Sequence, residues 1–539
     1  MADGTPFGDL AAPASGAPSL DELAKFDLND LGNAMRLIRL VGGAIDDDGD
    51  VDATNATLLF LLGAGWVGFN GRFWDRKFGE DLARRSAHRV AQKVRGLFKE
   101  VNGRTGIAMK DYLKWADGCG SAGQTSAMLR QAQSYLTVEI DVFDRDPLAL
   151  NVRNGTVKLK QGEGARWGVT LHPHDPADRI TRMAEASWVE GAAAPKFRKV
   201  VSDSMPDQGE RAFLHRVLGY SATGCTHEQA FFIEQGLGRD GKSTILDACR
   251  EVLGGYGAAA SPLTFLDGVV QSGSGPSPDL VKLAGDTRLV VLSEPKRGMS
   301  LNEGLLKAWT SGSPITARDL NAKPFDFRPV GKLHIECNAL PVAKGDDDGI
   351  WRRLKTLMFR VQVPEDKVDK TLGAQLRVEE RDGILAWLLE GAIAWLENPR
   401  GLDPPAGVAK ALEDYRKSSS PFGDWLNERC VWGVNAKGLD GGPARTLSAD
   451  LLDDFKRWAE AQGHEKVMSA RAFGDALHQR QILLAGKDAG GRKYRGPIRL
   501  KTEAERAADL AREEAGSAPA GSGVEDPLAA ELEGSWGGA

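Results

Sequence analysis

The stretch Ala230 to Leu253, AFFIEQGLGRDGKSTILDACREVL, constrains this chain more than any other. Gly236, Gly241, Lys242 and Ser243 fill the required places of the phosphate-loop pattern G-x-x-x-x-G-K-[ST], with a further glycine at Gly238. An apolar run, Phe231-Phe232-Ile233, precedes the loop and suits a buried parallel strand. After it, Ile245, Leu246, Ala248, Cys249, Val252 and Leu253 share one helical stripe that Gly254-Gly255 stops. In such a strand, glycine loop and helix, inward-turned backbone amides and the helix N-terminus cradle an oxyanion. Gly236, Gly238, Asp240, Gly241, Lys242, Ser243 and Thr244 are therefore the expected nucleotide-binding residues. Lys242 is placed to reach the β- and γ-phosphates and Ser243 to ligate magnesium.

At 539 residues, one core is not expected. Hydrophobic content of 42% and charged content of 27% are those of a globular chain. We find no apolar run of bilayer length and no signal-peptide pattern at the N-terminus, so no membrane partner is expected. The five cysteines are dispersed and form no C-x-x-C pair, which fits a reducing cytoplasm and argues against a zinc finger. The net charge of −6 does not argue against nucleic acid: residues 502–539 alone carry −7, leaving a nearly neutral body.

Several polar clusters read as ordinary structure. Ile45 to Asp52 (IDDDGDVD) resembles part of a calcium loop but lacks its closing Glu, so a solvated acidic turn is expected. Trp66, Phe69, Phe73 and Trp74 flank Asn70-Gly71, a hairpin signal whose aromatics belong in a core. A helix over Glu80 to Val101 presents a basic face; solvation and phosphate contact are both open to it. Asp141, Asp144 and Asp146 read as solvated loop acids between short strands, and His172 and His174 as loop residues.

Downstream of the glycine loop, Leu289 to Leu292 is a second buried-strand run, and Glu294 follows it as the expected acid for magnesium or the attacking water. A third strand, Lys332 to Glu336, leads to Asn338, whose amide suits a water-orienting or γ-phosphate-sensing role. Between them, a hairpin is expected to hold Lys323 in its loop. The pair Arg352-Arg353, after the acidic run Asp346-Asp347-Asp348, reads either as an internal salt-bridge cluster or as an arginine finger for a neighbour's nucleotide.

Taken together, ten pieces in order carry a resemblance: DLGNA (30–34), GRFW (71–74), FDRDPLALNVRNG (143–155), LHPHDPADRIT (171–181), LGYSATG, GLGRDGKST, VVLSE, LKAWTSGSPITAR, HIECNALP and DDGIWRRL. The chain resembles superfamily 3 DNA helicases of the phage and plasmid primase-helicase type, related to poxvirus helicase-like ATPases. The resemblance implies ATP and Mg2+ as cofactors, Lys242, Glu294, Asn338 and Arg353 (or Arg352) as catalytic residues, and Ser243 and Glu294 at the metal. It implies a homo-hexameric ring through which single-stranded DNA passes at a forked duplex, with the pore hairpin falling on Thr316 to Phe327 and Arg318 and Lys323 near DNA. Separate primase, polymerase or single-strand-binding partners follow from the same likeness. Two departures stand out: Ser293 occupies a position where many relatives carry an acid, and only about 30 residues precede DLGNA, so no primer synthesis is expected.

The expected architecture is α/β: a P-loop, AAA+-like ATPase core with an N-terminal α+β domain and a C-terminal winged-helix-like domain. The expected boundaries are a disordered tail (1–19), the α+β domain (20–205), the ATPase core (206–365), its helical extension (366–420), the winged-helix-like module (421–501) and a disordered acidic tail (502–539). In that module Arg492, Lys493, Arg495 and Arg499 are candidates for DNA phosphates. The implied function is ATP-dependent replicative helicase, acting in a bacterial host's cytoplasm. A replication initiator that uses the same ATPase as an assembly switch, without processive unwinding, shares every motif.

Overall fold

The computed structural model describes residues 17–514 except 78, 163, 165, 268–275, 297–298, 321–322, 344–347, 419–420 and 463–467. The chain divides into two compact units, one of Met1–Pro341 with Asp348–Leu412, the other of Val342–Asp347 with Glu413–Ala539.

The first unit is centred on a five-stranded sheet of β1 (Phe231–Gly236), β2 (Gly257–Ala260), β3 (Leu289–Ser293), β4 (Lys332–Cys337) and β5 (Leu354–Phe359). Its order is β2-β3-β4-β1-β5 and every neighbouring pair is parallel. Parallel strands are covered on both faces, which is why β3 opens as a continuous apolar run and β1 with Phe231-Phe232-Ile233; β4 is equally buried but alternates Lys332, His334 and Glu336 with apolar residues. Helices α1 (Gln208–Ser221), α2 (Lys242–Leu253) and α3 (Arg381–Leu396) share one hydrophobic cluster with one face of the sheet, through residues such as Val217, Leu246, Leu388, Phe232 and Val291. Helix α3 is apolar all round and is buried along most of its length. It crosses α1 closely: a Cβ on Gly219 would fall 2.1 Å from the Ala392 nitrogen, and one on Gly391 would fall 2.3 Å from the His215 carbonyl oxygen. Only glycine fits at either crossing point.

That cluster runs from Ala149 to Val408. The expected boundary at 205/206 therefore falls inside one packed body. Residues 149–201 include a three-stranded antiparallel sheet (149–152, 155–161, 167–172), and its Leu150, Val157 and Leu159 pack with the helices of the parallel sheet. A second cluster, Leu23 to Phe143, joins helices Asp30–Leu40, Gly79–Arg95 and Ala122–Leu136 to a four-stranded sheet. Here a hairpin forms at Asn70-Gly71, though with a loop of residues 70–73 and not a two-residue turn: Phe69 pairs with Trp74, Asn70 Oδ1 accepts the amides of Arg72 and Phe73 at 3.0 Å, and Gly71 takes φ +96°. Trp66, Phe69 and Trp74 are buried core residues. The acidic run at 45–52 closes a two-stranded turn in which Asp46 accepts the amides of Asp48 and Asp50 at 3.1 and 2.8 Å. Among the described residues no group of three or more His, Cys, Asp and Glu is arranged to hold a metal ion. No helix of the described residues is long and apolar enough to cross a membrane.

The second unit contains helices Pro421–Arg429, Ser448–Ala461 and Ala470–Gln479, followed by strands Leu483–Lys487 and Lys493–Gly496, the latter also pairing with Thr446–Leu447. Phe422, Trp425, Phe455 and Phe473 form an aromatic core, and Asp454 ties Trp425 Nε1 (2.9 Å) to Arg429 (2.6 Å). Residues 503–514, assigned to a disordered tail, form a helix. Thr502 and Glu505 make a reciprocal capping pair, with Thr502 N–H donating to Glu505 at 2.8 Å and Glu505 N–H to Thr502 Oγ1 at 3.3 Å. Glu505 also receives Arg499 in a two-pronged contact at 2.7 and 2.8 Å. Residues 515–539 lie outside the described residues, as do 1–16 of the expected N-terminal tail, whereas Ser19 caps a short helix beginning at Leu20.

Candidate functional site

Strand β1 ends at Gly236 and α2 begins at Lys242, so the loop between them must reverse direction in five residues. It does so through left-handed conformations at Gly238 (φ +86°), Arg239 (+55°) and Gly241 (+85°). Close packing adds to the requirement for glycine: a Cβ on Gly236 would meet Asp240 Oδ2 at 1.8 Å, and one on Gly241 would meet Ser204 Oγ at 2.1 Å.

The loop wraps its own anion. The buried Asp240 carboxylate accepts the Gly238 amide at 3.0 Å and the Lys242 ammonium at 3.1 Å through both oxygens. Lys242 Nζ donates also to Asn338 Oδ1 at 3.0 Å, which links the loop to the end of β4. The Lys242 ammonium and the Gly238 amide thus meet beside a helix N-terminus that adds its own partial positive charge. Thr244 is half-buried one residue beyond Ser243.

Residue Glu336, which sequence reasoning passed over, occupies the middle of this edge. The Ser243 hydroxyl donates to Glu336 Oε1, and the Ser293 hydroxyl donates to Oε2 at 3.2 Å. Burial pushes the Glu336 carboxyl above its usual range, and the two hydroxyls and Lys242 pull it back. The sequence signal was present in the acid closing the KLHIE run, but only the pairing of β4 between β1 and β3 reveals what it faces. Glu294, the expected acid, follows β3 with φ +52° and an exposed side chain, and its amide donates to the Glu336 carbonyl at 3.0 Å.

Beneath the site lies a buried polar line. His334 Nδ1 is 2.7 Å from Glu234 Oε1 and His334 Nε2 is 2.9 Å from Ser221 Oγ. Ser221 gives its own proton to the Val217 carbonyl, so Nε2 donates to Ser221 and the other ring nitrogen shares a proton with Glu234. The grouping has the composition of a hydrolytic triad, yet all three residues are fully buried and Phe232 stacks on the imidazole at 4.8 Å. With no access for substrate, it braces α1, β1 and β4.

The remaining expected residues lie elsewhere. The hairpin forms, with Ile315–Ala317 paired to Phe325–Phe327. Lys323 and Leu320 are exposed in its loop, and the half-buried Arg318 exchanges backbone contacts with Ser277. Arg352 is exposed, whereas Arg353 is buried and donates to the Gly349 carbonyl at 2.6 Å. In the second unit Lys493 is exposed, Arg492 pairs with Asp488 at 2.6 Å and Arg495 reaches Ser448 at 3.3 Å. Arg499, engaged by Glu505, is not available to a phosphate in this arrangement.

Residues 54–206 match the family described as D5 N terminal like. The chain is 27% identical over 293 residues to a "Putative helicase" of Acanthamoeba polyphaga mimivirus, a match covering 51% of this chain and 29% of that one. It is 28% identical over 303 residues to a "Putative helicase" of Frog virus 3, covering 53% and 30%, and 22% identical over 238 residues to a "Putative primase" of African swine fever virus, covering 44% and 24%. The chain thus spans less than a third of the length of these relatives. Among solved structures, the apo NrS-1 C terminal region aligns with 62% of this chain and 81% of its own at 10% identity, with a TM-score of 0.37.

Proposed function

We propose that this chain, a member of the D5-like primase-helicase proteins, is an ATP-driven DNA helicase of phage or plasmid replication that works as a ring of six subunits. One observation carries the reading: the glycine loop of β1 and the polar ends of β3 and β4 converge on one spot, through Lys242 with Asn338 and Ser243 with Glu336. The strand order changes there, since β1 lies between β4 and β5, and open parallel sheets bind ligands outside the carboxyl ends of their strands at such a switch.

In this reading the ring works in a bacterial cytoplasm, alongside separate primase, polymerase or single-strand-binding proteins. The amides of the 236–241 loop cradle the β-phosphate of ATP, and Lys242 exchanges Asp240 for phosphate oxygens. Asn338 orients the attacking water and Glu294 draws its proton. Ser243 and Glu336 offer the hard oxygen donors that suit Mg2+, whose charge lowers the repulsion between phosphate and water. Of the two arginines, the exposed Arg352 is the one able to reach a neighbouring subunit's γ-phosphate; Arg353 is committed to its own backbone. A finger supplied in trans requires a head-to-tail ring. The 315–327 hairpin carries Lys323 to the DNA strand in the pore, and the helix, helix, hairpin order of residues 448–496 supports reading the second unit as a winged helix, with Arg492, Lys493 and Arg495 at phosphates.

The test is ATP-dependent displacement of a labelled strand from a forked duplex. Wild type displaces the strand, and Lys242→Ala and Arg352→Ala each fail alone. Mixing the two variants restores part of the ATP turnover, because some sites then combine a wild-type loop with a wild-type finger. DNA-stimulated hydrolysis with no displacement on any fork would instead favour the initiator switch.

A further inference from the structure

We infer that Glu336 is the metal-side acid of the nucleotide site, supplying from β4 the carboxylate that Ser293 does not provide at the end of β3. The inference rests on the nucleotide reading above and assigns a residue that the motif order does not.

Three observations converge. First, Ser293 and Glu336 are register partners on adjacent parallel strands, so they stand at the same height along the sheet. Moving an acid from one to the other shifts it by one strand spacing, about 4.8 Å, toward β1 and its glycine loop. Second, the carboxylate is aimed. Ser243, the hydroxyl that opens α2, donates to one oxygen, and Ser293 donates to the other at 3.2 Å. The serine standing in the acid's usual place therefore orients the acid that replaces it. Third, Glu294 has no comparable anchoring: it follows the strand end in a left-handed conformation with its side chain in solvent. A hydroxyl and a buried carboxylate within hydrogen-bond reach of each other form the oxygen-only donor set that a small divalent cation takes up, directly or through its waters. The two acids then divide the work, Glu336 on the metal side and Glu294 on the water side.

A simpler role is also available to Glu336, that of pinning the start of α2 to the sheet through Ser243. The two roles separate on charge. Glu336→Gln keeps an acceptor for Ser243 but loses the negative charge.

The experiment is a titration of the full chain with a fluorescent ADP, with Mg2+ and with EDTA, each variant first checked by thermal melting. Wild type binds the ADP more tightly with Mg2+. Glu336→Gln is expected to reduce that metal-dependent gain roughly tenfold while leaving the EDTA affinity within about a factor of two. Glu294→Gln slows turnover but keeps the gain. Adding Ser293→Asp to Glu336→Gln restores most of it, an outcome that a pinning role does not give. A full gain in Glu336→Gln, or its loss in Glu294→Gln, overturns the assignment. If the wild-type chain binds no ADP under either condition, the nucleotide reading itself fails, and that is visible before any variant is compared.

Discussion

The Lys242 ammonium stands 3.0 Å from the Asn338 side-chain oxygen and 3.1 Å from both oxygens of Asp240, with Lys242 and Asp240 almost entirely buried. The lysine is therefore part of the fold as well as of the expected chemistry. Lys242→Ala leaves the Asp240 carboxylate without its countercharge, and we expect a loss of roughly 3–5 kcal/mol of stability in addition to the loss of turnover. Asp240→Asn in the same background recovers most of the stability and none of the turnover. Denaturant melts paired with phosphate release check both halves; equal melts for wild type and Lys242→Ala would refute the coupling.

Gly241 has two separate requirements, a positive φ and a close approach to Ser204. Gly241→Ala is expected to cost about 2–3 kcal/mol and to abolish nucleotide binding. Adding Ser204→Ala removes the clash but not the backbone strain, so about half the stability returns. Complete recovery would show that the left-handed conformation carries no cost.

Asp144 gives a pH dependence. It accepts the Thr181 amide at 2.8 Å and hydroxyl at 2.6 Å, yet burial, aided by Asp286, raises its pKa to about 6. A carboxyl raised in the folded state favours folding below its unfolded value near 4, and that contribution is lost as pH rises through about 6. Asp144→Asn mimics the protonated form at every pH. We expect it to exceed wild type in stability by about 3 kcal/mol at pH 7.5 and nearly to match it near pH 4, read from urea midpoints. A constant difference across that range would exclude titration of Asp144 as the cause.

The second unit's basic hairpin is tested by salt. Lys493 is exposed, so Lys493→Ala should weaken DNA binding and reduce the slope of log affinity against log salt by about 1. Arg499→Ala should leave that slope unchanged and lower the melting temperature, since Arg499 holds the 503–514 helix through Glu505. The reverse pattern would put Arg499 on the DNA.

What the sequence made legible was local. The glycine loop, its flanking strand and helix, the hairpin at Asn70-Gly71 and the 315–327 hairpin each depend on residues within about two dozen positions of one another, and each formed. Glu336 escaped because its meaning comes from Ser243 and Ser293, 93 and 43 residues away. The buried line of Ser221, His334 and Glu234 escaped for the same reason, since no spacing rule relates a helix end to two neighbouring strands. The division at 205/206 failed because the antiparallel strands after Ala149 share their core with α1 and α3. The helix at 503–514 was obscured by its acidic composition, although Thr502 and Glu505 stand at capping-box spacing. Composition describes solvation; the cap and the Arg499 clasp decided the structure.

The sheet order also bears on how the protein is made. Strand β1 has no partner near it in sequence: its neighbours are β4 and β5, more than a hundred residues further on. On a ribosome, β1 and its glycine loop emerge first, and the strands on either side of them only after residues 332 and 354 have been synthesised. Closing so long a span costs chain entropy before any contact repays it, which slows folding. Until then Phe231, Phe232 and Ile233 are an unpaired apolar strand, the kind of segment that chaperones hold and that aggregates when they do not.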